Sequence, residues 1–346
     1  MKRALVLGGG GARGSYQVGM LRSLVIDQKL DFQIIRGISV GALNASFLAQ
    51  APAQGNSLAE LQKKVVELET LWLKEIQGNH SVYGERPGGL LGLAAGADSL
   101  YSLEPLKRLL QKHLSLTALR KSGRDFKVGT VSLVRGVYEE WEPTHTKFLE
   151  KVLASASIPV VFPFVRSSAP KDVLVDGGVR NITPLSSAFA AQADEVYVLL
   201  TSRLIRTGDG LPDSGVQEQA YKQWDDNWLG TKVSGFDVLK RTVDILSDEV
   251  YLDDIRGALD WNAVLEAIDD VRKALAASGQ PNPQLTRAVD NLRKSTAKRP
   301  VPVHVLAPQE WYGQNNSATE FSPALIAAAL QHGQQIGADR TKWLVP

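Results

Sequence analysis

Phe32-Gln33-Ile34-Ile35-Arg36-Gly37-Ile38-Ser39-Val40-Gly41-Ala42-Leu43-Asn44-Ala45 is the stretch from which the fold is read. An apolar segment, Phe32 to Ile38, runs into Gly-x-Ser-x-Gly, and small residues lead out of it as far as Gln50. The first reads as a strand and the second as a closely packed helix. Gly37-Ile38-Ser39-Val40-Gly41 thus falls on a strand–turn–helix junction, where a serine hydroxyl is lifted above a sheet at the positive end of a helix dipole. Gly37 and Gly41 let the two backbones approach. A nucleophilic Ser39 competes here with a plainer role, a helix cap between packing glycines.

Outward from the junction, strands and helices alternate. Ala4 to Leu7 reads as a buried strand that ends in glycines, with a helix over 16–27. Leu58, Leu61, Val65, Leu68, Trp72 and Ile76 recur at steps of three and four, predicting an amphipathic helix over 57–77. Further helices are predicted over 103–114 and 147–157, the second stopping before Pro159. Residues 126–134 and 137–141 flank Arg135-Gly136 as a hairpin. Val173 to Val175, 195–200 and 301–306 read as strands, 234–250 and 259–277 as helices, and 323–343 as a closing helix. The alternation predicts an α/β protein with a parallel sheet covered on both faces. Residues 206–346 read as a helical insertion, including a polar stretch from Thr207 to Lys232, with a last strand and helix returning to the same domain. Residues 78–102 are Gly-rich and weakly periodic, a long connection of the kind that forms lids, and Leu90, Leu91, Leu93, Leu100 and Tyr101 are candidates to line a site or touch lipid.

Composition narrows the functions. The 346 residues are 44% apolar and 22% charged, with a net charge of +2 and no cysteine. The near-balanced charge gives no field for nucleic acid. The missing cysteine excludes disulfides, thiolate chemistry and cysteine-ligated metal. The four apolar residues after Arg3 are too few for a secretory segment, and no run reaches the ~18 residues of a membrane span, so a cytoplasmic protein is expected.

The loop Gly8-Gly9-Gly10-Gly11-Ala12-Arg13-Gly14 suits two chemistries. Gly9, Gly11 and Gly14 match a dinucleotide fingerprint, yet the same amides can hold an oxyanion. A dinucleotide site wants an acid at the end of the second strand. Here that strand ends in Gly37-Ile38-Ser39, and the nearest acids, Asp27 and Asp31, precede it. An oxyanion hole beside a nucleophile fits better. Arg13 is either a brace for the loop or a solvated charge.

Such a serine needs a base. None of His80, His113, His145, His304 and His332 stands at a strand-to-loop boundary with turn residues. Asp176 does, at the end of Lys171-Asp172-Val173-Leu174-Val175-Asp176-Gly177-Gly178, although by itself Asp-Gly is a common turn.

Three motifs in one order, GGGGARG, GISVG and DGG, together with Ala154–Pro163 and the block Asp176 to Pro184, resemble the patatin-like phospholipases over roughly residues 4–200. The resemblance implies a three-layer α/β/α sandwich with a mostly parallel central sheet, and a catalytic region over 1–205. It implies a Ser–Asp dyad without histidine, with Ser39 as nucleophile and Asp176 as base. The loop Gly9, Gly10, Gly11, Ala12, Arg13 and Gly14 would be the oxyanion hole, and Gly37, Gly41, Gly177 and Gly178 would shape elbow and turn. The substrate class is a fatty acyl ester of a phospholipid, lysophospholipid or neutral lipid, met in transient contact with a membrane surface. No cofactor and no metal are called for. A base of ordinary carboxylate pKa would put the acid limb of activity in the carboxylate range, raised if the site is dry. The rivals are an α/β-hydrolase triad recruiting His304 or His332, a nucleotide-binding module, and a catalytically idle relative.

Overall fold

The computed structural model describes residues 1–168, 171–202, 235–278, 282–296, 299–310 and 318–345. The strands are β1 (Arg3–Leu7), β2 (Ile34–Gly37), β3 (Gly84–Glu85), β4 (Tyr101–Ser102), β5 (Asp125–Ser132), β6 (Tyr138–Trp141), β7 (Val165–Ser168), β8 (Lys171–Asp176), β9 (Glu195–Leu199) and β10 (Val303–Leu306). The helices are α1 (Gly14–Leu21), α2 (Val40–Leu48), α3 (Ser57–Lys74), α4 (Gly89–Ala94), α5 (Glu104–His113), α6 (Leu116–Lys121), α7 (Phe148–Ser155), α8 (Leu185–Ala190), α9 (Gly235–Ala277), α10 (Pro283–Thr296) and α11 (Pro323–Ala338).

The central sheet runs β10-β9-β1-β2-β5-β8-β7, with β6 also on β5. β10, β9, β1, β2 and β5 are mutually parallel, and β6, β7 and β8 are antiparallel additions at one side. The inner strands are buried on both faces, as a parallel sheet between helices demands. In β1, Leu5 and Leu7 join the core under α1, α2 and α3, while Ala4 and Val6 join the opposite core with Leu185, Ala188 and Ile255. The chain is therefore a three-layer α/β/α sandwich with a mostly parallel central sheet. β10 pairs with β9 in that same sheet, and α11 packs along α1.

Several expectations change. β8 runs antiparallel to β5, an exception to the parallel sheet predicted from the alternation of strands and helices. The predicted helix over 16–27 is α1 followed by a π-helical stretch, Arg22–Asp27, with its looser i→i+5 bonding. The two predicted helices over 234–250 and 259–277 are one continuous helix, α9. The closing helix ends at Ala338 rather than Trp343. Residues 78–102 are not irregular: they hold the β3–β4 pair and α4. The polar stretch Thr207 to Lys232 lies outside the described residues.

Candidate active site

The elbow follows from two close approaches. Ile38 donates its amide to the Leu7 carbonyl at 3.1 Å, continuing the β1–β2 pairing past Gly37. Ser39 then turns the chain with φ 54° and ψ −128°, a conformation L residues avoid at a cost of about 1–3 kcal/mol. Surrounding bonds over-determine it. The Ser39 amide donates to Ser155 Oγ at 3.1 Å, and the Ser39 carbonyl accepts the Ala42 amide at 2.9 Å. A side chain at Gly41 would overlap the Leu7 and Gly8 carbonyls, so only glycine lets α2 start this close to β1.

Asp176 arrives by register. Gly37 pairs with Val128 across the β2–β5 ladder, and Thr130 pairs with Asp176 across β5–β8. Ser39 stands two residues beyond Gly37 and Thr130 two beyond Val128, so the antiparallel β8 descends to bring Asp176 level with Ser39. The Asp176 amide is held by the Ser157 carbonyl at 3.0 Å. Oδ1 accepts the Gly178 amide at 2.7 Å, which accounts for the Gly177-Gly178 turn, while Oδ2 is buried and makes no hydrogen bond among the described residues. Burial pushes the Asp176 pKa up to about 7, against the Ser39 hydroxyl and the Gly178 amide, both of which favour the carboxylate. No imidazole among the described residues bonds to Ser39 or Asp176. His304 bonds Glu195, and His332 accepts the Gln309 amide at 3.0 Å. Burial holds the His332 pKa down.

The glycine loop lies against the serine, since a Cβ on Gly9 would sit 3.1 Å from Ser39 Cβ. Its amides are not equivalent. The Ala12 amide donates to the Ala318 carbonyl at 2.7 Å and the Arg13 amide to the Gly10 carbonyl at 3.2 Å. The Gly14 amide is engaged within the loop's own helical turn. The amides of Gly10 and Gly11 donate to no group among the described residues. Both glycines have positive φ, 141° and 58°, and a Cβ on either would overlap Thr201 or the Ala318 carbonyl. Of the six loop residues expected to form an oxyanion hole, Ala12, Arg13 and Gly14 have amides already bonded within the protein. Arg13 is the brace, its Nε donating to the Gly10 carbonyl.

A narrow apolar cleft opens at Ser39. It encloses about 830 Å³ of space, part of it open to solvent. Val40, Leu43 and Phe47 of α2, Leu68 and Trp72 of α3, and Leu106 and Leu110 of α5 form its walls. Sequence reasoning missed this wall because the same i, i+3, i+7 spacing marks an ordinary buried helix. Of the residues singled out in 78–102, Leu91, Leu93, Leu100 and Tyr101 do not line the cleft. Tyr101 packs against Tyr83 with ring centres 4.7 Å apart and ring planes tilted by 53°, and Leu100 is buried. The side chain of Leu90 lies outside the described residues. Ser155, Thr201 and Ala318 were also missed: each acts through a backbone partner, which leaves no sequence motif.

The geometry supplies a strained serine, a buried acid of raised pKa, two amides without an acceptor among the described residues, and an apolar slot. A family model described as patatin-like phospholipase matches residues 5–189, more than half of the chain. No curated protein sequence matches it significantly. Among solved structures, VipD from Legionella pneumophila is similar, with 14% sequence identity and a TM-score of 0.40. That likeness covers 97% of this chain and 66% of VipD, so the chain spans just under two-thirds of that protein's length.

Proposed function

The chain belongs to the patatin-like phospholipase family, and from that premise we propose that it hydrolyses fatty acyl esters of phospholipids or lysophospholipids through a Ser39–Asp176 dyad and an acyl-enzyme intermediate. The observation that carries the proposal is Asp176 Oδ2: a buried acceptor with no hydrogen-bond partner among the described residues, level with a serine hydroxyl. A carboxylate left so is costly unless a proton is passed to it. Full alignment of such a pair commonly waits for substrate.

In the first half-reaction Ser39 Oγ attacks the ester carbonyl and its proton passes to Asp176. The Gly10 and Gly11 amides hold the oxyanion, each such donor being worth about 3–4 kcal/mol. Collapse breaks the ester bond, and Asp176 returns the proton to the leaving alcohol. Water then attacks the acyl-enzyme, gives its proton to Asp176, and Ser39 recovers that proton as the fatty acid leaves. A base of pKa near 7 suits neutral pH better than one at 3.8.

Residues 1–205 are proposed as the catalytic region, with 206–346 as an addition whose last strand and helix rejoin the sheet. Transient contact with a membrane surface is part of the proposal. Leu133, Val134, Val137 and Val179 are exposed on neighbouring turns that the Arg180 Nη1–Gly136 carbonyl bond holds together at 2.7 Å. Among the described residues no helix is long and apolar enough to cross a membrane. A cytoplasmic location fits the cysteine-free composition.

The test is labelling with a fluorophosphonate probe, followed by turnover of a phospholipid, lysophospholipid and acylglycerol panel. Wild type should label and Ser39→Ala should not. Equal labelling of both proteins, or turnover that survives Ser39→Ala, would refute the dyad. An idle relative would neither label nor turn over any ester.

A further inference from the structure

The slot at Ser39 has a floor, and the floor is polar. Resting on the acyl-hydrolase reading above, we infer that the site selects a single unbranched acyl chain of about 10–13 carbons, and that His113 sets the limit.

Three observations define the slot as a channel along α2. Val40, Leu43 and Phe47 recur at i, i+3 and i+7 from the elbow, so they form one stripe leading away from Ser39. Asn44 lies on the same face, but its polar atoms are spent. Its Oδ1 accepts the Trp72 indole at 3.0 Å, and its Nδ2 donates to the Gly14 carbonyl and to Gln17 Oε1. The wall therefore offers a passing chain only hydrocarbon. On the opposite side α5 contributes Leu106 and Leu110 in a matching stripe that ends at His113.

At that end the character changes. The His113 ring lies 6.2 Å from the Phe47 ring, and its Nε2 is 3.0 Å from Glu75 Oε2. Lys112 bonds the same oxygen at 2.7 Å, and these two partners hold the Glu75 carboxyl below its ordinary pKa. Gln50 Nε2, at the end of the turn after α2, donates to the His113 carbonyl at 3.2 Å. A methyl end driven past this point would desolvate an imidazole–carboxylate–ammonium cluster, which costs more than the extra methylene gains.

The helix supplies the length. Phe47 is eight residues and Gln50 eleven beyond Ser39, which at ~1.5 Å per residue is about 12–17 Å. An extended chain advances about 1.25 Å per carbon, given bonds of ~1.5 Å. The channel thus holds about 10–13 carbons.

The experiment uses p-nitrophenyl esters from four to eighteen carbons, each below its solubility limit, with wild type, His113→Leu and Leu43→Trp. For wild type, kcat/KM should climb about three- to fourfold per methylene and break off at 10–13 carbons. His113→Leu should move the break at least two carbons longer. Leu43→Trp, obstructing the stripe about 6 Å from Ser39, should move it to about five carbons and guards against a His113 variant that fails to fold. Ser39-dependent turnover of short esters with no break, or a break that a folded His113→Leu leaves in place, overturns the inference and leaves the dyad standing. Absence of turnover on every ester, the shortest included, overturns both.

Discussion

Replacing Asp176 with asparagine should stabilise the protein while abolishing its chemistry, and the gain should grow with pH. Asp176 has a folded pKa of about 7 and an ordinary value of 3.8, with burial the leading cause. Between those values the folded protein keeps a proton that the unfolded chain has released, so the group's contribution to stability falls as pH rises. Integrated, the cost is about 2 kcal/mol at pH 5 and about 4 kcal/mol at pH 8. Asparagine does not titrate and keeps the acceptor for the Gly178 amide. The unfolding entropy of a 346-residue chain, at about 2.1 cal/mol/K per residue, makes 1 kcal/mol worth about 1.4 °C. The melting-temperature gap between Asp176→Asn and wild type should therefore widen by about 3 °C from pH 5 to pH 8, read by calorimetry or circular dichroism. A gap that is flat with pH, or one that narrows toward pH 8, would refute the picture of a dry carboxyl with one oxygen left unpaired.

Other outcomes follow from the same geometry. The pH profile of kcat/KM should rise through a midpoint near 7 and then level off, and the limb should persist in His80→Gln and His145→Gln; a limb lost with either histidine would point to a different base. Ser39→Gly should remove all labelling yet raise thermal stability by about 1 kcal/mol, because glycine accepts φ 54° without strain; a destabilised variant would contradict the strained elbow. Gly11→Ala, whose Cβ would overlap the Ala318 carbonyl, should lower kcat by about 10²–10³ through displacement of one oxyanion donor, measured in steady state on a short ester. Trp72→Phe should cost about 1–3 kcal/mol by orphaning the buried Asn44 oxygen, seen as a drop of a few degrees in melting temperature.

Much of the fold is legible locally. β1 and β9 are short apolar runs, α3 shows its stripe at steps of three and four, and β5–β6 turn at Arg135-Gly136. Each is set by residues within one or two turns of each other. β7 escaped notice because Val165-Arg166-Ser167-Ser168 has no apolar run, and it forms only as an edge partner of β8. The continuity of α9 was missed because Gly257, a helix-stop signal in sequence, falls between the two predicted helices, yet the helix runs through it. The slot wall and the loop's spent amides depend on Ala318, Leu106 and Trp72, distant in sequence from the elbow.

By itself the sequence determines the candidate groups: a serine on a strand–helix junction, an acid before two glycines, and a run of glycines after the first strand. Those are properties of short segments, where glycine's freedom and apolar spacing act locally. Only the tertiary structure decides that Asp176 stands level with Ser39, because strand direction and register are set by pairing across the sheet and leave no mark on β8 itself. It also decides the raised pKa, since dryness at Asp176 is made by neighbours that fold in from elsewhere.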